Sequence, residues 1–327
     1  MAQLDFEHAA QSGSEHQKGT IRVGKFTGFT ICIVLFVSVA TLAAVKLTSP
    51  SSAPVAPPQS HIRYLGVYEP GSPSSYTGVE EFAKAVGRKP NLVVYYSTWK
   101  ELFQEKFAET AYMHGATTIV QIEPFGVSLA DIVAGKYDAY LISFADQVAS
   151  FGHTVIISFA HEMNGYWYSW GYTHTSPSVF IAAWRHVVTV FRKQGADNVK
   201  WLWQVNSLSS RISLPREWWP GPQYVTWVGV SGYYYLPGDT FGYLFGPVVA
   251  DIQQFTNDPV LIAETAAGPQ AEQPRAISNL FDGLRAQGDL GLVWFDQHSQ
   301  GGLYHGEDWR LEDSRPALKA FRNGLRG

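Results

Sequence analysis

Two glutamates stand at the ends of short apolar runs: Glu162, after His161, in SFAHEMNGYWYSWG (158–171) and Glu264 in VLIAETAAG (260–268). A carboxyl group at the end of a buried strand is withdrawn from water, and a second one opposite adds repulsion. Together these effects separate the two proton affinities, so that one carboxyl keeps a proton while its partner ionises. Cleavage of a glycosidic bond needs that combination: one group protonates the leaving oxygen, the other attacks or activates water. His161, Asn164 and the aromatic run Tyr166-Trp167-Tyr168 crowd around the first glutamate. Aromatic faces stack on sugar rings, while amides and carboxylates bind hydroxyls. His161-Glu162 also opens like a zinc-protease motif, but that motif needs a second His four residues on, where Gly165 stands. His153 and His174 read as loop or cap residues rather than ligands.

For these glutamates to meet, the chain must bring several strand ends together. Apolar, β-rich runs predict strands at 64–67, 92–96, 118–122, 154–159, 199–203, 225–230, 260–263 and 291–295. Amphipathic stretches between them predict helices at 79–86, 105–114, 138–151, 177–194, 246–255, 276–287 and 315–323. Strands that are apolar on both faces belong to a parallel sheet, and eight of them alternating with helices predict an α/β fold, the (β/α)8 TIM barrel. An open doubly wound sheet is the alternative, but no glycine-rich phosphate turn follows an early strand.

Barrel chemistry gathers at the C-terminal ends of the strands. Those ends read Tyr68 and Glu69, Trp99, Gln121 and Glu123, His161 and Glu162, Gln204 and Asn206, Tyr233 to Tyr235, Glu264, then Trp294 and Asp296. Trp99, Glu123 and Asn164 are expected to touch substrate; for Glu123, pairing with a neighbour is an equal alternative. Trp201 and Trp203 alternate on one strand and read as core packing on one face, whereas Trp218-Trp219-Pro220 reads as either a binding rim or loop packing.

The chain holds 327 residues, of which 46% are hydrophobic, 16% charged and 14% aromatic, with a net charge of −4. A nucleic-acid binder normally carries a basic face, so the balance argues against that class. The single cysteine, Cys32, excludes a disulfide framework and a multi-cysteine zinc site. No metal or organic cofactor is expected.

Residues 1–25 read as a cytoplasmic segment, because Lys18, Arg22 and Lys25 precede the uncharged run Phe26 to Val45. That run is long enough for a bilayer, and 26–46 is expected to be a transmembrane signal-anchor. Residues 47–60 (LTSPSSAPVAPPQS) form a Pro/Ser/Ala-rich linker, and 61–327 the catalytic domain. The expected location is the cell membrane, single-pass, with an extracellular, monomeric catalytic domain. Cleavage near Ser38-Val39-Ala40, followed by secretion, is the alternative.

At HEMNGYWYSWG the chain resembles glycoside hydrolase family 26, whose best-known members are endo-β-1,4-mannanases. GVYEPGSPSSY (66–76), VVYYSTW (93–99), WLWQVN (201–206), VSGYYY (230–235), AETAAG (263–268) and VWFD (293–296) extend the resemblance over nearly all of 61–327. It implies a retaining (β/α)8 glycosidase acting on a β-linked polysaccharide, foremost β-1,4-mannan, with mixed-linkage β-glucan or β-1,3-xylan as alternatives. It further implies Glu162 as acid/base, Glu264 as nucleophile, His161 as a sugar ligand, Trp167 and Trp294 as aromatic walls, and Tyr233 beside the nucleophile. Where the family's mannanases commonly carry Arg four residues before the acid/base, this chain has Ser158. A barrel that binds carbohydrate without turnover is the competing class.

Overall fold

In the computed structural model, which describes residues 62–207, 213–298 and 308–327, eight parallel strands close in chain order into a barrel. They are β1 (Tyr64–Tyr68), β2 (Leu92–Thr98), β3 (Thr117–Glu123), β4 (Val155–Phe159), β5 (Val199–Asn206), β6 (Trp227–Ser231), β7 (Val260–Thr265) and β8 (Gly291–Phe295). The helices are α1 (Thr77–Val86), α2 (Glu105–Met113), α3 (Leu129–Val133), α4 (Asp138–Phe151), α5 (Pro177–Lys193), α6 (Phe241–Leu244), α7 (Gly246–Ile252), α8 (Gln273–Gln287) and α9 (Arg315–Gly324). The expected (β/α)8 architecture is what the chain adopts.

Alternation along each strand sorts the apolar residues into two cores. Leu92, Val94, Ile119, Ile156, Leu202, Trp227, Leu261, Ala263 and Val293 fill the barrel interior. Their strand neighbours, among them Val93, Tyr95, Val120, Ile157, Trp201 and Trp203, pack outward in the larger core with the helices. Trp201 meets Trp184 and Phe191 of α5, and Trp203 meets Trp219 and Phe255. Trp218 is fully buried against Phe180, so the Trp218-Trp219 pair is loop packing rather than a binding rim.

The seam between β8 and β1 is tight. Tyr64 stands opposite Gly291, whose φ is 149°, and a Cβ there would lie 1.9 Å from the Tyr64 carbonyl oxygen. Only glycine satisfies both the backbone angle and the approach.

β2 and β5 run beyond their expected ends because pairing continues through polar residues: Thr98 lies opposite Glu123, and Asn206 opposite Ser231. The short helices α3 and α6 carry too few residues to show a period; Ser128 caps α3 by accepting from the Ala130 amide.

The cytoplasmic segment 1–25, the anchor 26–46 with Cys32, and the linker 47–60 lie outside the described residues. Among the described residues no helix is long and apolar enough to cross a membrane.

Candidate active site

Glu162 reaches the barrel mouth through an unusual turn. β4 points Ile156 and Ser158 inward, and the chain then passes through Ala160 and Glu162, whose φ values are 50° and 55°. Left-handed backbone costs an L-residue about 1–2 kcal/mol, and such strain concentrates at functional sites. Two hydrogen bonds to neighbouring strands hold the turn: Ala160 N to Ile122 O at 2.9 Å and Glu162 N to Gln204 O at 2.8 Å. A Cβ at Gly165 would sit 2.3 Å from the Trp167 ring, so glycine leaves that ring its place.

Glu162 as a residue is 6% exposed. Its Oε2 accepts from Trp167 Nε1 and its Oε1 from Asn206 Nδ2, each at 2.8 Å. Burial raises its proton affinity, and hydrogen bonds from Asn206, Ser231 and Trp167 act against that rise.

Glu264 faces the interior because of an irregularity in β7. Leu261 and Ala263 already point inward, so strict alternation would send Glu264 out to the helices. Between β6 and β7 the register steps from Val230–Ile262 to Ser231–Glu264, and between β7 and β8 from Ile262–Leu292 to Thr265–Trp294. β7 thus carries one extra residue relative to both neighbours, a bulge that turns Glu264 into the mouth. Its Oε2 accepts from the Tyr96 hydroxyl at 2.6 Å, and its Oε1 accepts from the Tyr233 hydroxyl. Burial, then the Glu162 charge, push it up to about 7, against donors from Tyr233, Tyr96 and Gln204. Glu123, at the end of β3, is pushed up to about 8 by burial and by the Glu264 charge. Three buried carboxyl groups therefore share the mouth.

Aromatic rings surround them. Tyr68 stacks on Phe295 at 4.4 Å and meets Tyr96 edge-on, while Tyr233 stacks on Trp309 at 4.8 Å. His161 is buried, and burial pushes its imidazole down to about 3, so the ring is neutral. Its Nε2 lies 3.1 Å from the Tyr168 hydroxyl, and its backbone carbonyl accepts from Trp170 Nε1.

Of the residues expected at the site, Glu162, Glu264, Glu123, His161, Trp167 and Tyr233 gather at the mouth. Three others go elsewhere. Trp294 is fully buried on the outer side of β8, edge-on to Phe321 of α9, with its Nε1 bonded to Asp296 and to the Trp309 carbonyl. Its neighbour Phe295 takes the inward position, and Trp309 supplies the flat ring beside Tyr233. Trp99 is buried and packs among Tyr137, Tyr140 and Phe159. Asn164 is fully buried, and both ends of its amide are used on the backbone of Asn206.

Sequence reasoning missed Tyr96, although it follows Leu92 and Val94 in phase on the inward face. Trp309 gave no signal, because it lies in an irregular segment. His153 stacks on Tyr112 and His174 bonds the Tyr166 carbonyl, both in the loop roles expected. Among the described residues no group of three or more His, Cys, Asp or Glu is arranged to hold a metal ion.

An eight-stranded barrel, paired buried glutamates and an aromatic mouth define the site. Residues 126–268, which include both glutamates, match the family model "Glycosyl hydrolase family 26", and the resemblance seen in the motifs holds. Endoglucanase H of Acetivibrio thermocellus is 29% identical over 272 residues; the match covers 78% of this chain and 29% of that protein's length. The fold is shared with the YdhT protein from Bacillus subtilis, at a TM-score of 0.61, 15% identity, and coverage of 82% of this chain and 87% of that one. A modular endo-β-1,4-mannanase from Cellulomonas fimi also superposes at 0.61, with 13% identity and coverage of 81% and 70%.

Proposed function

We propose that the domain is a retaining glycoside hydrolase acting on a β-linked glucan, with Glu162 as acid/base and Glu264 as nucleophile. The observation that carries this reading is the grip on the two carboxylates. Each comes from a backbone irregularity that turns it into the mouth, and each is held by several donors. The Glu162 charge is the largest electrostatic push on Glu264, so the pair favours one proton over none. With that proton on Glu162, the push is gone, and the hydroxyls of Tyr96 and Tyr233 hold Glu264 ionised. Glu162 then protonates the glycosidic oxygen while Glu264 attacks the anomeric carbon. In the second step Glu162 takes a proton from water, which releases the sugar with retained configuration.

The glucan reading is supported by the endoglucanase relative, which shares more identity with this chain than the mannanases do, and by Ser158 where mannanases commonly carry Arg. β-1,4-Mannan is the second reading, favoured by the mannanases among the structures of the same fold. Digestion of mixed-linkage glucan, cellulosic glucan, mannan, glucomannan and xylans, with the first-formed anomer read by proton NMR, tests both. Glucan cleavage with retention is expected. Inversion overturns the mechanism, and mannan cleavage alone selects the second reading. Binding without release of reducing ends from any of these would make the domain a carbohydrate-binding barrel.

The location proposed with this reading rests on the sequence outside the described residues. An uncleaved anchor at 26–46 would hold a monomeric domain on the outer face of the membrane, facing polysaccharide. Fractionation of cells, with the size of the membrane-bound chain, distinguishes this from secretion after cleavage.

A further inference from the structure

Glu123 is the third buried carboxyl of the mouth, and the proposed reaction does not use it. It follows Ile119 and Gln121 in phase on β3. Ile119 lies in the barrel interior, and Gln121 donates across that interior to Gln204 at 2.6 Å. The side chain of Glu123 therefore points into the mouth. Ile122 pairs with Phe159 and accepts from the Ala160 amide, so Glu123 comes level with the turn that carries Glu162. Across the closed barrel, four strands away, stands β7 with Glu264.

The hydrogen bonding of the mouth leaves this carboxyl out. Glu162 accepts from Trp167 and Asn206, and Glu264 accepts from Tyr96 and Tyr233. Among the described residues no hydrogen bond or ion pair reaches the Glu123 carboxyl, although the residue is only 9% exposed. A buried polar group without a partner lowers stability, and an ionised one lowers it further. The groups that share the mouth offer no cation. They are the two other acids, the phenols of Tyr68, Tyr96, Tyr168 and Tyr233, and the neutral His161. Burial and the Glu264 charge accordingly push Glu123 up to about 8. Uncharged, the group has an O–H that donates and a C=O that accepts. Sugar hydroxyls complement both, and a sugar whose anomeric carbon meets Glu264 turns its far edge toward β3.

We infer that Glu123 holds the sugar at the cleavage point as an uncharged acid, its O–H donating to one ring hydroxyl and its C=O accepting from another. The inference rests on the reading of Glu162 and Glu264 proposed above, which places the sugar. Its signature is an opposition between binding and stability. A residue that packs or pairs stabilises the free protein, whereas an unpartnered one that serves a ligand weakens it. Glu123→Met removes the carboxyl at similar length. It should raise the urea midpoint while lowering sugar affinity about 10- to 100-fold. Glu123→Gln keeps a donor and an acceptor without a charge, and should bind within about threefold of its parent.

The test is made on the full chain in detergent micelles, with Glu162→Gln as the parent, so that sugar is bound without turnover and Glu264 stays in place. Cellotetraose, a mixed-linkage glucan tetrasaccharide and mannotetraose are titrated by calorimetry, and urea unfolding is followed without sugar. Weak binding with a higher midpoint in Glu123→Met, and parent-like binding in Glu123→Gln, are expected for the sugar that the parent binds best. Parent-like affinity in Glu123→Met overturns the inference. So does a Glu123→Gln that binds as weakly as Glu123→Met, since the charge would then be what the sugar meets. A lower midpoint in Glu123→Met makes the residue structural and overturns it too. If Glu123→Met does not fold, the affinities of Glu123→Gln and Glu123→Ala decide alone. Wild-type turnover by Glu162→Gln would instead overturn the catalytic assignment, and KM of the Glu123 variants would then give the binding comparison.

Discussion

Asn206 Nδ2 donates to Glu162 Oε1 at 2.8 Å, and Asn164 holds Asn206 in place by accepting its backbone N–H and donating to its carbonyl. One buried amide thus aims another at the carboxylate. Asn206→Ala should lower turnover about 10- to 100-fold with little change in KM, since the lost bond orients the reacting group. Glu162 would hold its proton more tightly, and the alkaline limb should move up. Asn164→Ala acts one step further back. It leaves the Asn206 backbone groups unpaired and should cost about 1–3 kcal/mol in urea unfolding. An Asn206→Ala profile identical to the wild type would deny Glu162 this donor.

The two tyrosines on Glu264 give a second prediction. Tyr96→Phe and Tyr233→Phe keep the rings, so the stacking of Tyr233 on Trp309 and the packing of Tyr96 against Tyr68 survive. Each removes one donor that favours the ionised carboxylate. Glu264, already raised to about 7 by burial and by the Glu162 charge, should rise further. Because the nucleophile must be ionised, the acid limb should move to higher pH, with about tenfold less activity at pH 6. Rates that fall equally at every pH would mean that the hydroxyls act on the substrate rather than on Glu264.

How far the sequence disclosed the site depends on which physical rule governed each residue. Apolar runs disclosed all eight strands, because burial on both faces leaves few polar residues to blur them. Glu162 and Glu264 were legible as carboxylates at the ends of such runs. The β7 bulge was not legible, because an added residue looks like any other alanine or glutamate until pairing with β6 and β8 is known. Trp294 misled for a related reason. Ending a strand does not say which face a residue takes, and the inward phase of Gly291 and Val293 assigns the mouth to Phe295. Trp309 could not be found at all, since an irregular segment has no period to follow.

The buried acids also set how stability responds to pH. Burial raises Glu123 from 4.5 to about 8, Glu69 from 4.5 to about 7, and Asp289 from 3.8 to about 7. A raised carboxyl binds its proton more tightly folded than unfolded. Its contribution is therefore complete below the unfolded value and is lost as pH climbs through the folded one. The melting temperature should fall between pH 5 and pH 8, and calorimetry at those two values reads it. Glu123→Gln should flatten the decline, because an amide has no proton to lose. A melting temperature that rises over this interval would show these groups to be ionised at little cost.

The barrel seam gives the last prediction. Gly291 sits opposite Tyr64 with φ at 149°, and an added Cβ would meet the Tyr64 carbonyl oxygen at 1.9 Å. Backbone cannot swing aside as a side chain can, so Gly291→Ala has to part β8 from β1 or distort the strand. A loss of at least about 2 kcal/mol is expected from the urea midpoint. Lys100 supplies the opposite case on an exposed turn, where φ is 94° and no packing is at stake. Lys100→Gly relieves a left-handed residue, though it also frees the unfolded chain, and should gain about 1 kcal/mol or less. A Gly291→Ala midpoint equal to the wild type would show that backbone angle and close approach are not what glycine supplies at the seam.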